Sequence, residues 1–171
     1  MSTGYDYTQA SLREQLVKIQ FPERTPNESA IIRDWLLRHL EEFDRYSLSV
    51  RVGAGIAPDP THDAGVQAST AFSSRKRIDI LAWKGNQPYI FEVKQRLIPA
   101  ALGQLLTYAH LWMEENPDAA QPILGAIART SDDDTNRVLQ VHGVTVYLVP
   151  PSTSDGGTVP SGVPAHNGAP A

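Results

Sequence analysis

Asp79, Glu92 and Lys94 are the residues of this chain best placed to do chemistry, within the stretch RKRIDILAWKGNQPYIFEVKQ. Arg77–Trp83 and Pro88–Gln95 read as two strands joined by Lys84-Gly85-Asn86-Gln87. Gly-Asn suits a two-residue hairpin turn, because glycine accepts the positive φ that such turns demand. With Gly85 and Asn86 as the turn, Asp79 falls opposite Glu92 on one face of the ribbon. Cβ atoms of residues so opposed lie about 5 Å apart. Two carboxylates at that spacing repel unless something positive lies between them. A divalent ion is the natural choice, since hard cations such as magnesium prefer oxygen ligands. Lys94 is two residues beyond Glu92 and points to the same face. An acid pair with an adjacent ammonium suits metal-assisted attack of water on a phosphodiester.

The flanking segments must hold this hairpin. Ser11–Ile19 reads as a short lead-in helix, interrupted by Phe21-Pro22. Thr25-Pro26-Asn27-Glu28 is a helix start, with Thr25 as N-cap, Pro26 at the first helical position and Glu28 closing a capping box. Ile31, Ile32, Trp35, Leu36, His39, Leu40 and Phe43 recur at helical spacing and carry that helix to about Asp44. Tyr46–Val52 reads as a strand, and the Gly-, Pro- and Ser-rich Gly53–Ser74 as a long connection. Around the hairpin, Ile78, Ile80, Phe91 and Val93 are expected on one face, with Leu81, Trp83 and Ile90 on the other. Such a sheet is covered on both sides. Pro99–Glu115 reads as a second long helix and Pro122–Arg129 as a buried strand. Asp132–Asp134 opens a short helix carrying Val138, Leu139 and Val141 that Gly143 stops. Val144–Val149 is a last strand. The expected class is α/β, a central mixed β-sheet flanked by helices. Its domains would be a lead-in over 1–24, a core over 25–149 and a flexible Pro/Gly/Ser-rich tail over 150–171.

Composition narrows the possibilities. A chain of 171 residues buries a full core as one domain. It has no cysteine, which excludes disulfides, thiolate zinc sites and a cysteine nucleophile. The formal net charge of −4 counts against tight non-specific nucleic-acid binding, though not against a local basic patch. No apolar run approaches membrane-spanning length, and the N-terminus lacks a signal-peptide pattern. The expectation is a soluble, cytoplasmic protein with no membrane partner.

Asp79, twelve intervening residues and then Glu92-Val93-Lys94 resemble the PD-(D/E)XK nuclease superfamily, the restriction-endonuclease-like fold. Gln104-Leu105-Leu106-Thr107-Tyr108 looks like the QxxxY motif of its RecB-type members. Ile78 stands where the family's nominal proline would be. The resemblance covers Thr25 to Val149 and implies an αβββαβ core. It implies a nuclease that cleaves DNA with Mg2+ or Mn2+, held by Asp79, Glu92 and the Val93 carbonyl. Lys94 would then assist the attacking water or the transition state. Glu28 could reach the metal from the first helix, or could serve only its capping box. Gln104 and Tyr108, four apart on one helix face, would act beside the site. Arg75, Lys76 and Arg77 are positioned for phosphate contact, and Arg96 could assist at the hairpin's other end. A protein partner or a homodimer is compatible with the acidic charge. The alternative is a nuclease-like fold kept as a binding or assembly module, such as a component of a virion or multiprotein complex, with the same residues as an ion-pair network.

Overall fold

The computed structural model describes residues 4–16 and 21–151. Six strands form one sheet in sequence order. They are β1 (Tyr5–Thr8), β2 (Arg45–Val52), β3 (Lys76–Lys84), β4 (Gln87–Arg96), β5 (Ile123–Thr130) and β6 (Thr145–Leu148). The helices are α1 (Gln9–Gln15), α2 (Pro26–His39), α3 (Ala64–Ser74), α4 (Ala100–Glu115) and α5 (Asp133–Val141). β1 to β4 pair antiparallel, while β5 and β6 join in parallel. Parallel neighbours need a crossover, and α4 and α5 supply the two. The expected mixed sheet is therefore present, with helix, three antiparallel strands, helix and parallel strand in the expected order. Among the described residues no helix is long and apolar enough to cross a membrane.

Local chemistry explains most elements. Thr25 caps α2 with the full capping box to Glu28, and Pro26 opens the helix. The helix closes at His39, and a 3-10 turn over Leu40–Glu42 follows, so the α-helical stretch is shorter than expected. Gly85 sits at the hairpin turn with φ +59°, and Lys84 pairs with Gln87 across it. A positive φ at the first central residue is the signature of a type II′ turn. The register continues through Trp83–Pro88 and Leu81–Ile90 to Ile80–Phe91, as the sequence predicts.

Two hydrophobic layers cover the sheet. On one face Leu12, Ile31, Ile32, Trp35 and Leu36 pack on Leu48, Ile80, Phe91, Val93 and Ile127. On the other, Ala101, Leu105, Tyr108, Trp112 and Leu139 pack on Leu81, Ile90 and Ala126. Successive strand residues point to opposite faces, so Phe91 and Ile90 separate as they should.

Several expectations need correction. The second half of Gly53–Ser74 is helix α3, started by an Asp63 cap on Val66 N–H, although none of its residues is buried. The first strand β1 and the early start of α1 at Gln9 carry no apolar pattern to read. Residues 17–19 of the expected lead-in helix, and the expected tail from 152, lie outside the described residues. Ile78 does not share a layer with Ile80. Ile78 and its partner Val50 pack in the α4 layer, while Ile80 and its partner Leu48 pack in the α2 layer. Residues two apart ought to share a face, so both strands turn over between these pairs. Ser49 takes φ +57° at that level, across from Asp79.

Candidate functional site

The turnover in β2 and β3 sets the geometry around Asp79. Beyond Ile80–Phe91 the β3–β4 ladder gives way, and Asp79 and Glu92 stand next in register. Asp79 Oδ2 accepts a 2.7 Å hydrogen bond from Val93 N–H. The side chain thus holds the strands together where the ladder stops. Both acids are nearly enclosed, with Asp79 4% and Glu92 1% exposed. Lys94 lies on the same face as Glu92 and forms an ion pair with its Oε1; the lysine side chain is 31% exposed. Glu92 Oε2 is buried and has no hydrogen-bonding partner.

The electrostatics follow from this enclosure. Burial first, and the neighbouring Asp79 charge second, push the Glu92 carboxyl up to about 8, against the opposing pull of Lys94. Removing solvent penalises the ionised form, and a second carboxylate adds to that penalty. Tyr108 belongs to the same neighbourhood. Burial and the charges of Glu92 and Asp79 raise its hydroxyl to about 12, so it remains a neutral donor. Gln104 Nε2 donates to Tyr108 Oη at 3.2 Å, one helical turn away.

One residue of the site has no signal in the sequence. Arg24 forms a buried ion pair with Asp79 Oδ1, and its Nη2 lies 3.4 Å from the Asp79 carbonyl. Its side chain is only 1% exposed. The segment Phe21–Thr25 that carries it is anchored on the strands. Ser49 Oγ donates to the Pro22 carbonyl at 3.1 Å, Arg51 pairs with Glu23 at 2.6 Å, and Arg77 donates to the Glu23 carbonyl at 2.9 Å. A lone arginine 55 positions from its partner has no periodicity or spacing to betray it.

The other candidates are placed differently. Glu28 bonds the Thr25 N–H and hydroxyl within its capping box, at 3.0 and 3.1 Å. Arg75 pairs with Glu115 at 2.6 Å and Arg77 turns to Glu23, whereas Lys76 is exposed. Arg96 reaches Asp132 at 4.0 Å. A cavity of about 710 Å³ lined by Arg45, Trp83 and Trp112 contains none of the three hairpin residues.

Among the described residues no group of three or more His, Cys, Asp or Glu side chains is placed to hold a metal ion. The site offers two carboxylates, one of them with an unpartnered oxygen. Magnesium is commonly bound through one or two carboxylates, with waters and substrate phosphates filling its shell. The donor set fits such an ion, provided that Asp79 Oδ1 gives up its guanidinium.

No family model matches the chain, and no curated protein matches it. Among solved structures, it is similar to a repair endonuclease from Pyrococcus abyssi, with TM-score 0.44 and 15% identity over 78% of this chain and 50% of that one. It is similar to EndoMS in a dsDNA complex, with TM-score 0.43 and 15% identity over 79% and 50%. A third similarity is to AF1548, a protein of unknown function, with TM-score 0.37 and 18% identity over 66% and 54%. The chain spans about half the length of each of these proteins. Overlaps this loose decide nothing about chemistry.

Proposed function

We propose that this chain is a magnesium- or manganese-dependent nuclease that hydrolyses DNA phosphodiester bonds. The observation that carries the reading is the meeting of Asp79, Glu92 and Lys94 at one end of the hairpin, with Glu92 Oε2 unpartnered. The resemblance to the PD-(D/E)XK superfamily supports it, since these are the residues its motif uses. A divalent ion bound by Asp79, Glu92 and the Val93 carbonyl would polarise a phosphoryl oxygen and lower the pKa of a bound water. The chain's own groups do the rest. Glu92 fixes the Lys94 ammonium by their ion pair, so the positive charge stands at the solvent-facing side of the acids. There it orients the attacking water or balances charge on the phosphoryl group. Tyr108, held neutral by its burial beside the acids and oriented by Gln104, supplies a hydroxyl donor to a phosphate or carboxylate oxygen. Lys76 is exposed for a phosphate contact, which adds affinity without sequence preference.

The test is cleavage of single- and double-stranded DNA with magnesium or manganese, comparing wild type with Lys94→Ala and Glu92→Gln. Neither substitution breaks the Arg24–Asp79 pair. The expected result is metal-dependent cleavage that falls by about 100-fold or more in both variants, as for loss of a transition-state charge partner. Equal cleavage by all three proteins would place the activity elsewhere.

One observation favours a second reading. Both Asp79 oxygens already have partners, and the two acids are almost sealed from solvent. A binding or assembly module that retains these residues as an ion-pair network accounts for that state without catalysis. Calorimetric titration with manganese separates the two, since the module would take up none even with DNA present.

A further inference from the structure

Arg24 is bound to Asp79 in a way that invites exchange. Its guanidinium meets the carboxylate through one nitrogen, and the second reaches only the backbone carbonyl at 3.4 Å. The paired fork that makes arginine–carboxylate contacts strongest is missing. Arg24 Nε is buried with no partner, as is Glu92 Oε2. The supporting backbone is strained on both sides: Glu23, just before Arg24, has φ +58°, and Ser49, which holds Pro22, has φ +57°. Left-handed conformations at non-glycine residues persist only where surrounding contacts enforce them, and they gather at functional positions. Here the enforcing contacts are those of Glu23 with Arg51 and Arg77 and of Ser49 with Pro22.

Each acid already faces a cation, Asp79 meeting Arg24 and Glu92 meeting Lys94. A divalent ion on Asp79 would stand beside the Arg24 guanidinium, and like charges at that range repel. Lys94 is partly in solvent, but Arg24 is the cation on an oxygen that the ion would need.

We infer that the Arg24 guanidinium and a divalent cation compete for Asp79, so that Arg24 is the site's own counter-ion and is displaced when metal binds. This rests on the reading of Asp79 as a metal ligand. Arg24 is a positioning residue in this scheme. It keeps Asp79 paired and aimed while metal is absent, and it sets the metal concentration at which the site loads.

The experiment is calorimetric titration of manganese chloride into wild type, Arg24→Met and Arg24→Lys, with thermal melts across the same manganese series. Displacing a buried cation opposes binding, so Arg24→Met is expected to bind manganese about tenfold tighter or more. Its melting temperature should rise more steeply with manganese than that of wild type. Arg24→Lys, with a shorter reach and a point charge, should fall between them. If Arg24→Met folds only with manganese, that rescue is the same competition read through folding, and Arg24→Lys gives the affinity. Equal affinity in all three proteins, or weaker binding in Arg24→Met, overturns the competition while leaving the metal site standing. No binding in any of them overturns both.

Discussion

Substituting Asp79 to show loss of activity would confound chemistry with folding. Arg24 is 1% exposed and Asp79 6% at their side chains. Removing one partner of a buried ion pair leaves an uncompensated charge and costs about 3–5 kcal/mol. Asp79→Asn keeps an oxygen for Val93 N–H, so it isolates that term. Asp79→Ala also orphans the Val93 N–H, adding about 1–3 kcal/mol. Domains are typically stable by only about 5–15 kcal/mol, so Asp79→Ala is expected to sit close to unfolding. Arg24→Met alone should cost about as much as Asp79→Asn. The double variant removes both charges and should be less destabilised than either single one, because neutral replacement of a buried pair is often tolerated. The assay is urea denaturation of wild type and the four variants in EDTA. Each single charge-removing variant should also melt lower by about 6–20 °C, at roughly 2–4 °C per kcal/mol for a chain of this size. Single costs below about 1 kcal/mol, or a double variant equal to the sum within about 0.5 kcal/mol, would refute a buried, coupled pair.

Two further outcomes are expected. The raised Glu92 carboxyl holds a proton that the unfolded chain has already lost, so metal-free stability should decline as pH rises from the ordinary carboxylate range to about 8. The slope is at most about 1.4 kcal/mol per pH unit, and Glu92→Gln should flatten it; parallel denaturation profiles at pH 5 to 8 would count against the assignment. On the opposite layer, Trp35 is fully buried among Phe43, Phe91 and Tyr147, yet its indole N–H has no partner. Trp35→Ala should cost about 3–5 kcal/mol, while Trp35→Phe keeps the ring contacts, removes the orphan donor and should cost far less by the same denaturation assay.

The legible parts of this protein are those set by short-range chemistry. Gly85 fixed the hairpin register because a two-residue turn admits few alternatives, and that register placed Asp79 beside Glu92. Thr25, Pro26 and Glu28 announced the start of α2, and the same capping box explains why Glu28 stays with Thr25. Gln104 and Tyr108 meet because a helix brings residues four apart together. What escaped detection lacks such a rule. α3 is mostly Ala, Ser, Thr and Gln, and its Val66 and Phe72 make no buried stripe, so no period marks it. The left-handed Ser49 has no residue signature, and the turnover it accompanies moved Ile78 into the other layer. Arg24 is brought to Asp79 only by tertiary packing.

The strand lengths have a consequence of their own. The outermost strands β1 and β6 have four residues each, against eight to ten in the interior. A sheet's rim is where dangling amides and carbonyls can recruit a neighbouring molecule, and a short rim is a poor template for doing so. This sheet tapers toward both margins, leaving fibril growth little to start from. With a formal charge of only −4 to keep copies apart, outline does much of the work that repulsion does in more highly charged proteins.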